Sequence, residues 1–115
     1  MEKIHHFFAF DLGATSGRSI LATVSENKLE LKELTRFPNK IIRVHDKYYW
    51  DIFALFEELK NGLKAASALD IKIDAIGIDT WGVDFVYLGE DGNILGQPRS
   101  YRDPYTNGIP EEYFK

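Results

Sequence analysis

The sequence has no cysteine, so neither disulfides nor thiolate-held metal ions are open to it. It has no apolar run approaching the length of a transmembrane helix. The opening residues, Met1-Glu2-Lys3-Ile4-His5-His6, lack the apolar core and cleavage site of a signal peptide, so a cytoplasmic protein is the expectation. Strong charge is absent as well. A net charge of -4 describes an ordinary soluble surface and argues against a nucleic-acid partner, which wants a basic face. There is no internal repeat, low-complexity tract or linker. What the chain does have is 115 residues, 44% of them hydrophobic and 14% aromatic, enough for the core of one ordinary domain.

The stretch Phe7 to Arg18, F-F-A-F-D-L-G-A-T-S-G-R, organises the rest. Four apolar residues in a row suit a strand buried on both faces. The run then breaks into Asp11, two glycines and two hydroxyl residues, and closes on Arg18. Such a turn gathers backbone N–H groups and hydroxyls into a small cup that suits an anion. Asp11 would repel a phosphate directly but can hold a hydrated magnesium ion that binds one. Arg18 adds a fixed fork for phosphate oxygens. No Gly-Lys-Ser/Thr follows, so this is not a Walker loop. The next segment reads as a strand, so it is not a dinucleotide fingerprint either. A plain hairpin turn, with Asp and Gly serving only the backbone, remains the competing reading.

Residues 4 to 12 read as a first strand and 17 to 24 as a second, with a turn at Ser25 to Lys28. His5 and His6 point to opposite faces and cannot share a metal. Leu29, Leu31, Leu34 and Phe37 mark a third strand whose alternation slips by one, pointing to a bulge or an imperfect inner face. Pro38, without an N–H, is expected to end it. Asn39 to Tyr49 reads as a loop with room for a short strand, and His45 as a solvated residue. Asp51 is a natural N-cap for a helix that turns Ile52, Phe56, Leu59, Leu63 and Ala66 inward. Asn61-Gly62 weakens that helix without ending it. Ala75 to Asp79 reads as a buried strand able to pair in parallel with the first. Val83 to Leu88 reads as another strand, followed by a turn at Glu90 to Asn93. Gln97 to Lys115, with three prolines, reads mostly as loop.

A second cluster is Asp79-Thr80-Trp81-Gly82-Val83-Asp84-Phe85, at the end of the buried strand, where open α/β sheets bind ligands. Carboxylates that accept from hydroxyls, an indole face and a glycine that lets a ligand reach backbone together suit a polyol. A strand-to-strand corner with Trp81 in the core is the alternative.

Asp-x-Gly-x-Thr-Ser-x-Arg after an apolar N-terminal strand resembles the first phosphate motif of the FGGY carbohydrate kinases. These belong to the actin, Hsp70 and sugar kinase superfamily. The β-β-β-α-β order is that of a ribonuclease H-like half-domain, the α/β core of the same superfamily. Ile76 to Phe85 is similar to the segment that rhamnulokinases carry. Glycerol kinases place an arginine and a glutamate where this chain has Gly82 and Val83, which speaks against glycerol. Pro98-Arg99-Ser100-Tyr101-Arg102-Asp103 resembles the family's segment ending in Arg-Asp.

The resemblance spans Phe7 to about Thr106 and implies roles for particular residues. Gly13, Ala14, Thr15, Ser16, Gly17 and Arg18 hold ATP phosphates, and Asp11 orients Mg2+ through water. Gly82, Trp81 and Asp103 border a sugar. The implied activity is transfer of the ATP γ-phosphate to a ketose, L-rhamnulose first, to give L-rhamnulose 1-phosphate. Residues 1–115 are then the N-terminal part of FGGY domain I, with the second domain, the general base and the adenosine pocket beyond Lys115. No catalytic residue is assigned in this chain, and alone it is expected to be inactive. Sugar and ATP are the implied partners, with neither nucleic acid nor membrane. Two rivals stand beside this reading: an actin- or Hsp70-like nucleotide-binding module, and an inactive truncated interaction module.

Overall fold

Phe7 to Phe10 form the middle of strand β1, His5–Leu12, in the computed structural model, which describes residues 3–115. Alternation sends Phe8 and Phe10 to one face, where they are 1% and 3% exposed. Their rings meet edge-on at 4.9 Å. Strands β2, Ser16–Ser25, and β3, Lys28–Pro38, continue from β1 as an antiparallel meander. The β2–β3 register skips Leu34, so the slip legible in the sequence is a bulge at Leu34 of β3, opposite the Ser19–Ile20 step of β2. Pro38 ends β3, as expected. It pairs with Ser16 as the last residue of β3, an edge strand, where a missing N–H is tolerated.

Helix α1, Ile52–Ser67, packs on the Phe8/Phe10 face with Leu59 and Ala66 inward as expected, but with Leu55 and Gly62 in place of Phe56 and Leu63. Leu55, Gly62 and Ala66 are buried and Leu59 packs against the core, whereas Phe53, Phe56 and Leu63 are exposed. The reason is Gly62. A Cβ there would stand 2.7 Å from Phe10 Cε1 and 3.1 Å from Ser19 Cβ, so the helix approaches the sheet closest where it has no side chain. Phe8, Phe10 and Ala66 form the cluster, with Leu12, Leu34, Leu59 and Ile73 packed around it. Each fully buried aromatic of this kind contributes roughly 2–3 kcal/mol by removal from water.

Strand β6, Ala75–Thr80, pairs in parallel with β1 and completes a sheet of order β3-β2-β1-β6, with β4 and β5 defined below. All six of its residues are exposed, contrary to the buried strand the apolar run implies. Among the described residues β6 has a neighbour on one side only, so burial in this chain comes from β1 alone.

The chain divides into two compact units, Met1–Lys40 with Phe53–Trp81, and Ile41–Ile52 with Gly82–Lys115. In the second, the expected loop before the helix is a hairpin. Strand β4, Ile41–Val44, pairs with β5, Lys47–Trp50, and His45 turns the corner at φ 57°. Trp50, 1% exposed, anchors this unit. Its backbone N–H donates to Pro98 O at 2.9 Å and its indole Nε1 to Asp84 Oδ2 at 2.6 Å. Residues 83–88 form no regular strand; one bridge, Leu88 to Ile94, closes the turn that Asp91 holds through Asn93. Beyond it come a 3-10 turn, Pro104–Thr106, and a short helix α2, Ile109–Tyr113. No helix among the described residues is long and apolar enough to cross a membrane.

Candidate functional site

The first unit builds a tight turn between β1 and β2. The Gly13 N–H donates to Ser16 O at 3.0 Å, and a Cβ on Gly13 would meet that same oxygen at 2.7 Å, so glycine is what lets the turn close. A Cβ on Gly17 would overlap the buried Phe37 ring, whose Cε2 lies 2.6 Å away. Asn39, 8% exposed, braces the turn from the end of β3. Its Nδ2 donates to Gly13 O at 3.0 Å and its backbone N–H to Thr15 O at 2.9 Å. Sequence reasoning missed Asn39, because one asparagine after a proline carries no signal of what it will touch.

The pairing registers also create a row that the sequence does not display. Arg36 of β3, Arg18 of β2, Asp11 of β1 and Asp79 of β6 lie opposite one another in turn. Residues in register point to the same face, so two cations adjoin two carboxylates across the end of the sheet. Arg18 Nε stands 3.3 Å from Asp11 Oδ2, yet this buried nitrogen makes no hydrogen bond. The separation exceeds the roughly 2.7–2.9 Å of a charge-assisted bond, so the pair is loose. Arg36 is bound bidentately by Glu33 at 2.6 and 3.0 Å.

Among the described residues no group of three or more His, Asp or Glu is placed to enclose a metal. Mg2+ keeps most of its waters and takes one or two carboxylates together with phosphate oxygens. Asp11, with its side chain 44% exposed beside the turn, fits that demand.

Parallel pairing of β1 and β6 puts the ends of both strands at one end of the sheet, so half-buried Trp81 follows β6 on the side where the β1–β2 turn lies. The chain re-enters the second unit at Gly82. A Cβ on Gly82 would touch nothing within 4 Å. The next residue, Val83, is 83% exposed and sits at φ 69°. Left-handed backbone at a β-branched residue costs about 1–2 kcal/mol, a strain that no sequence pattern announced. Asp84, read as a polyol acceptor, instead receives the Trp50 indole.

Asp103 is 3% exposed and its two oxygens take four bonds. Oδ1 accepts from Arg99 Nη2 at 3.1 Å and Tyr105 N at 2.9 Å. Oδ2 accepts from Arg99 Nε at 2.8 Å and Tyr48 N at 2.7 Å. A carboxylate offers about four lone-pair positions, so in this geometry its own chain uses them all. Arg99, in turn, stacks over Tyr105 at 4.6 Å. It lines a cavity of about 680 Å³ with Tyr49, Phe85, Tyr87, Leu95 and Tyr105. The Arg99 bonds, reinforced by the two backbone N–H donors, hold the Asp103 carboxyl down to about 2 from its usual 3.8. A carboxyl lowered by folding stabilises the fold fully above its ordinary value and loses that contribution as pH falls through the folded one. Carboxyl carbon NMR is therefore expected to show Asp103 titrating near 2, with the second unit loosening between the usual 3.8 and that point. Asp103→Asn should flatten this acid limb; a midpoint near 3.8 would contradict the four-bond geometry.

No family model matches the chain. It is 56% identical over 109 residues to the rhamnulokinase of Bacteroides thetaiotaomicron, covering 95% of this chain and 22% of that protein. It is 44% identical over 109 residues to the rhamnulokinase of Halalkalibacterium halodurans, covering 95% and 23%. Among solved structures, a gluconate kinase from Lactobacillus acidophilus superposes with a TM-score of 0.80 at 17% identity, over 97% of this chain and 23% of that one. A xylulose kinase from Rhodospirillum rubrum gives 0.76 at 16% identity, over 96% and 23%. The chain thus spans less than a quarter of the length of the curated relatives it matches. Over its aligned length, this segment is similar in sequence to rhamnulokinases and shares its fold with the matching part of the two kinase structures.

Proposed function

We propose that this chain is the front part of domain I of an ATP-dependent sugar kinase, with L-rhamnulose the first candidate substrate. The observation that carries the reading is the meeting of the β1–β2 turn and the Trp81 end of β6 at one end of one sheet, in a chain 56% identical to a rhamnulokinase. Phosphoryl transfer asks a protein mainly to position reactants and neutralise charge. Gly13 to Ser16 supply backbone donors and hydroxyls for ATP phosphates, and Gly17 lets the backbone pass Phe37. Arg18, only loosely held by Asp11, is available to phosphate oxygens. Mg2+ would be held by Asp11 through water and supplies charge neutralisation between the phosphates. Trp81 and Gly82 border the sugar. Asp103 holds Arg99 and the β5 backbone in place within the second unit. The exposed edge of β6 is where the remainder of the domain would continue the sheet.

The test is a chimera in which residues 3–115 replace the matching segment of the Bacteroides thetaiotaomicron relative. It is expected to phosphorylate L-rhamnulose with ATP and Mg2+ in preference to fuculose and xylulose. Gly82→Ala then separates the readings, because the added methyl group meets open space and leaves the fold intact. If sugar lies against Gly82, KM for the sugar rises about tenfold, the cost of one misplaced contact of about 1.4 kcal/mol, while KM for ATP holds. An unchanged sugar KM would favour a nucleotide-binding module. The 115-residue chain alone is expected to give no turnover above background; a pure preparation that does would overturn that part.

A further inference from the structure

We infer that Asn39 is a positioning residue of the β1–β2 turn: it draws the Gly13 and Thr15 carbonyls to one side, so that the Ala14 and Ser16 N–H groups face the other and receive the anion. This rests on the reading of the turn as a phosphate loop. No peptide bond among the described residues is cis. In a trans peptide the C=O of one residue and the N–H of the next point in opposite directions. Asn39 Nδ2 donates to Gly13 O at 3.0 Å, which aims the Ala14 N–H away from Asn39. The Asn39 backbone N–H donates to Thr15 O at 2.9 Å, which aims the Ser16 N–H the same way. Gly13 has its own N–H engaged with Ser16 O, so Ala14 and Ser16 are the two turn donors whose direction Asn39 sets.

Two amides aimed together, with their neighbouring carbonyls turned away, form the concavity that backbone uses for anions. Left untethered, either peptide could rotate and present a carbonyl oxygen to the phosphate instead. The tether is itself fixed. Pro38 has its φ locked by its ring and pairs with Ser16, which delivers Asn39 beside the turn. At 8% exposure Asn39 has little room for another rotamer.

The experiment uses the 115-residue chain, with Mg-ATP as probe and amide NMR as readout. In the unsubstituted chain Mg-ATP should shift the Ala14 and Ser16 amides most within the turn and the Gly13 amide least. Asn39→Ala should weaken Mg-ATP about five- to tenfold, the loss of one partly buried hydrogen bond, and scatter the shifts over other turn amides. Asn39→Asp keeps the size and the backbone bond but removes the Nδ2 donor, and should weaken binding at least as much. A merely structural Asn39 would lower the thermal midpoint while leaving the affinity and the shift pattern of the folded protein unchanged, and that result overturns the role. Should both variants fail to fold, the unsubstituted pattern decides, because largest shifts away from Ala14 and Ser16 also overturn it. If no resonance from Gly13 to Arg18 responds to Mg-ATP, the phosphate-loop reading falls, and the role of Asn39 with it.

Discussion

Asp11→Asn in the chimera is expected to lower kcat by about two to three orders of magnitude, the size of loss that removing one preorganised electrostatic group causes. The amide keeps the shape of the carboxylate and loses its charge, so the effect isolates electrostatics. Folding should be nearly indifferent. The Asp11 side chain is 44% exposed, and its partner Arg18 stands 3.3 Å away without hydrogen-bond geometry; exposed ion pairs contribute little. The Mg2+ concentration needed for half-maximal rate should rise as well, because one of the ion's few protein contacts is gone. A competing account has Asp11 serving only to hold Arg18. In that case Arg18→Ala would cost as much as Asp11→Asn, and the double variant would cost no more than either. Separate roles instead make the losses multiply. Retention of more than a tenth of kcat at saturating Mg2+ would remove Asp11 from the metal site.

What could be read from the sequence followed from local chemistry. The apolar run into Asp11 and Gly13 specified strand and turn, and the slip between Leu31 and Leu34 located the bulge that the β2–β3 register contains. The helix was legible by period, and its inward face by Leu59 and Ala66 but not by Phe56 and Leu63. Phe56 and Leu63 outrank Gly62 in hydrophobicity, yet closeness to Phe10 and Ser19 decides which stripe faces the sheet. The β4–β5 hairpin was hidden because Tyr48-Tyr49-Trp50 shows no alternation of apolar and polar residues. Register decides the row from Arg36 to Asp79, and no single segment contains it. Carboxylates misled for a related reason. Asp84 and Asp103 look like ligand acceptors in a list of residues, but Trp50 engages the first, and Arg99, Tyr48 and Tyr105 the second. A sequence states which groups can accept hydrogen bonds, and only the fold states which are already taken.

Gly62→Val is expected to cost the fold about 3 kcal/mol by overpacking of a filled core. Helix propensity alone says the opposite, since glycine in a helix interior gives up about 1 kcal/mol relative to alanine. The clash decides the sign. A Cβ at 62 meets Phe10 at 2.7 Å and Ser19 at 3.1 Å, and both neighbours are boxed in, at 3% and 0% exposure. Phe10 cannot swing aside without opening its contact with Phe8, and Ser19 is held by its hydroxyl bond to Thr35 across the bulge. Either α1 rides up from the sheet or the bulge is pulled apart. Gly62→Ala should cost less, because part of the clash is offset by propensity. Gly77→Val supplies the contrast: a Cβ there touches nothing within 4 Å, and a branched residue favours the strand it joins. Urea unfolding of the 115-residue chain compares the three variants directly. Equal losses for Gly62→Val and Gly77→Val would mean that α1 does not rest on the sheet through Gly62.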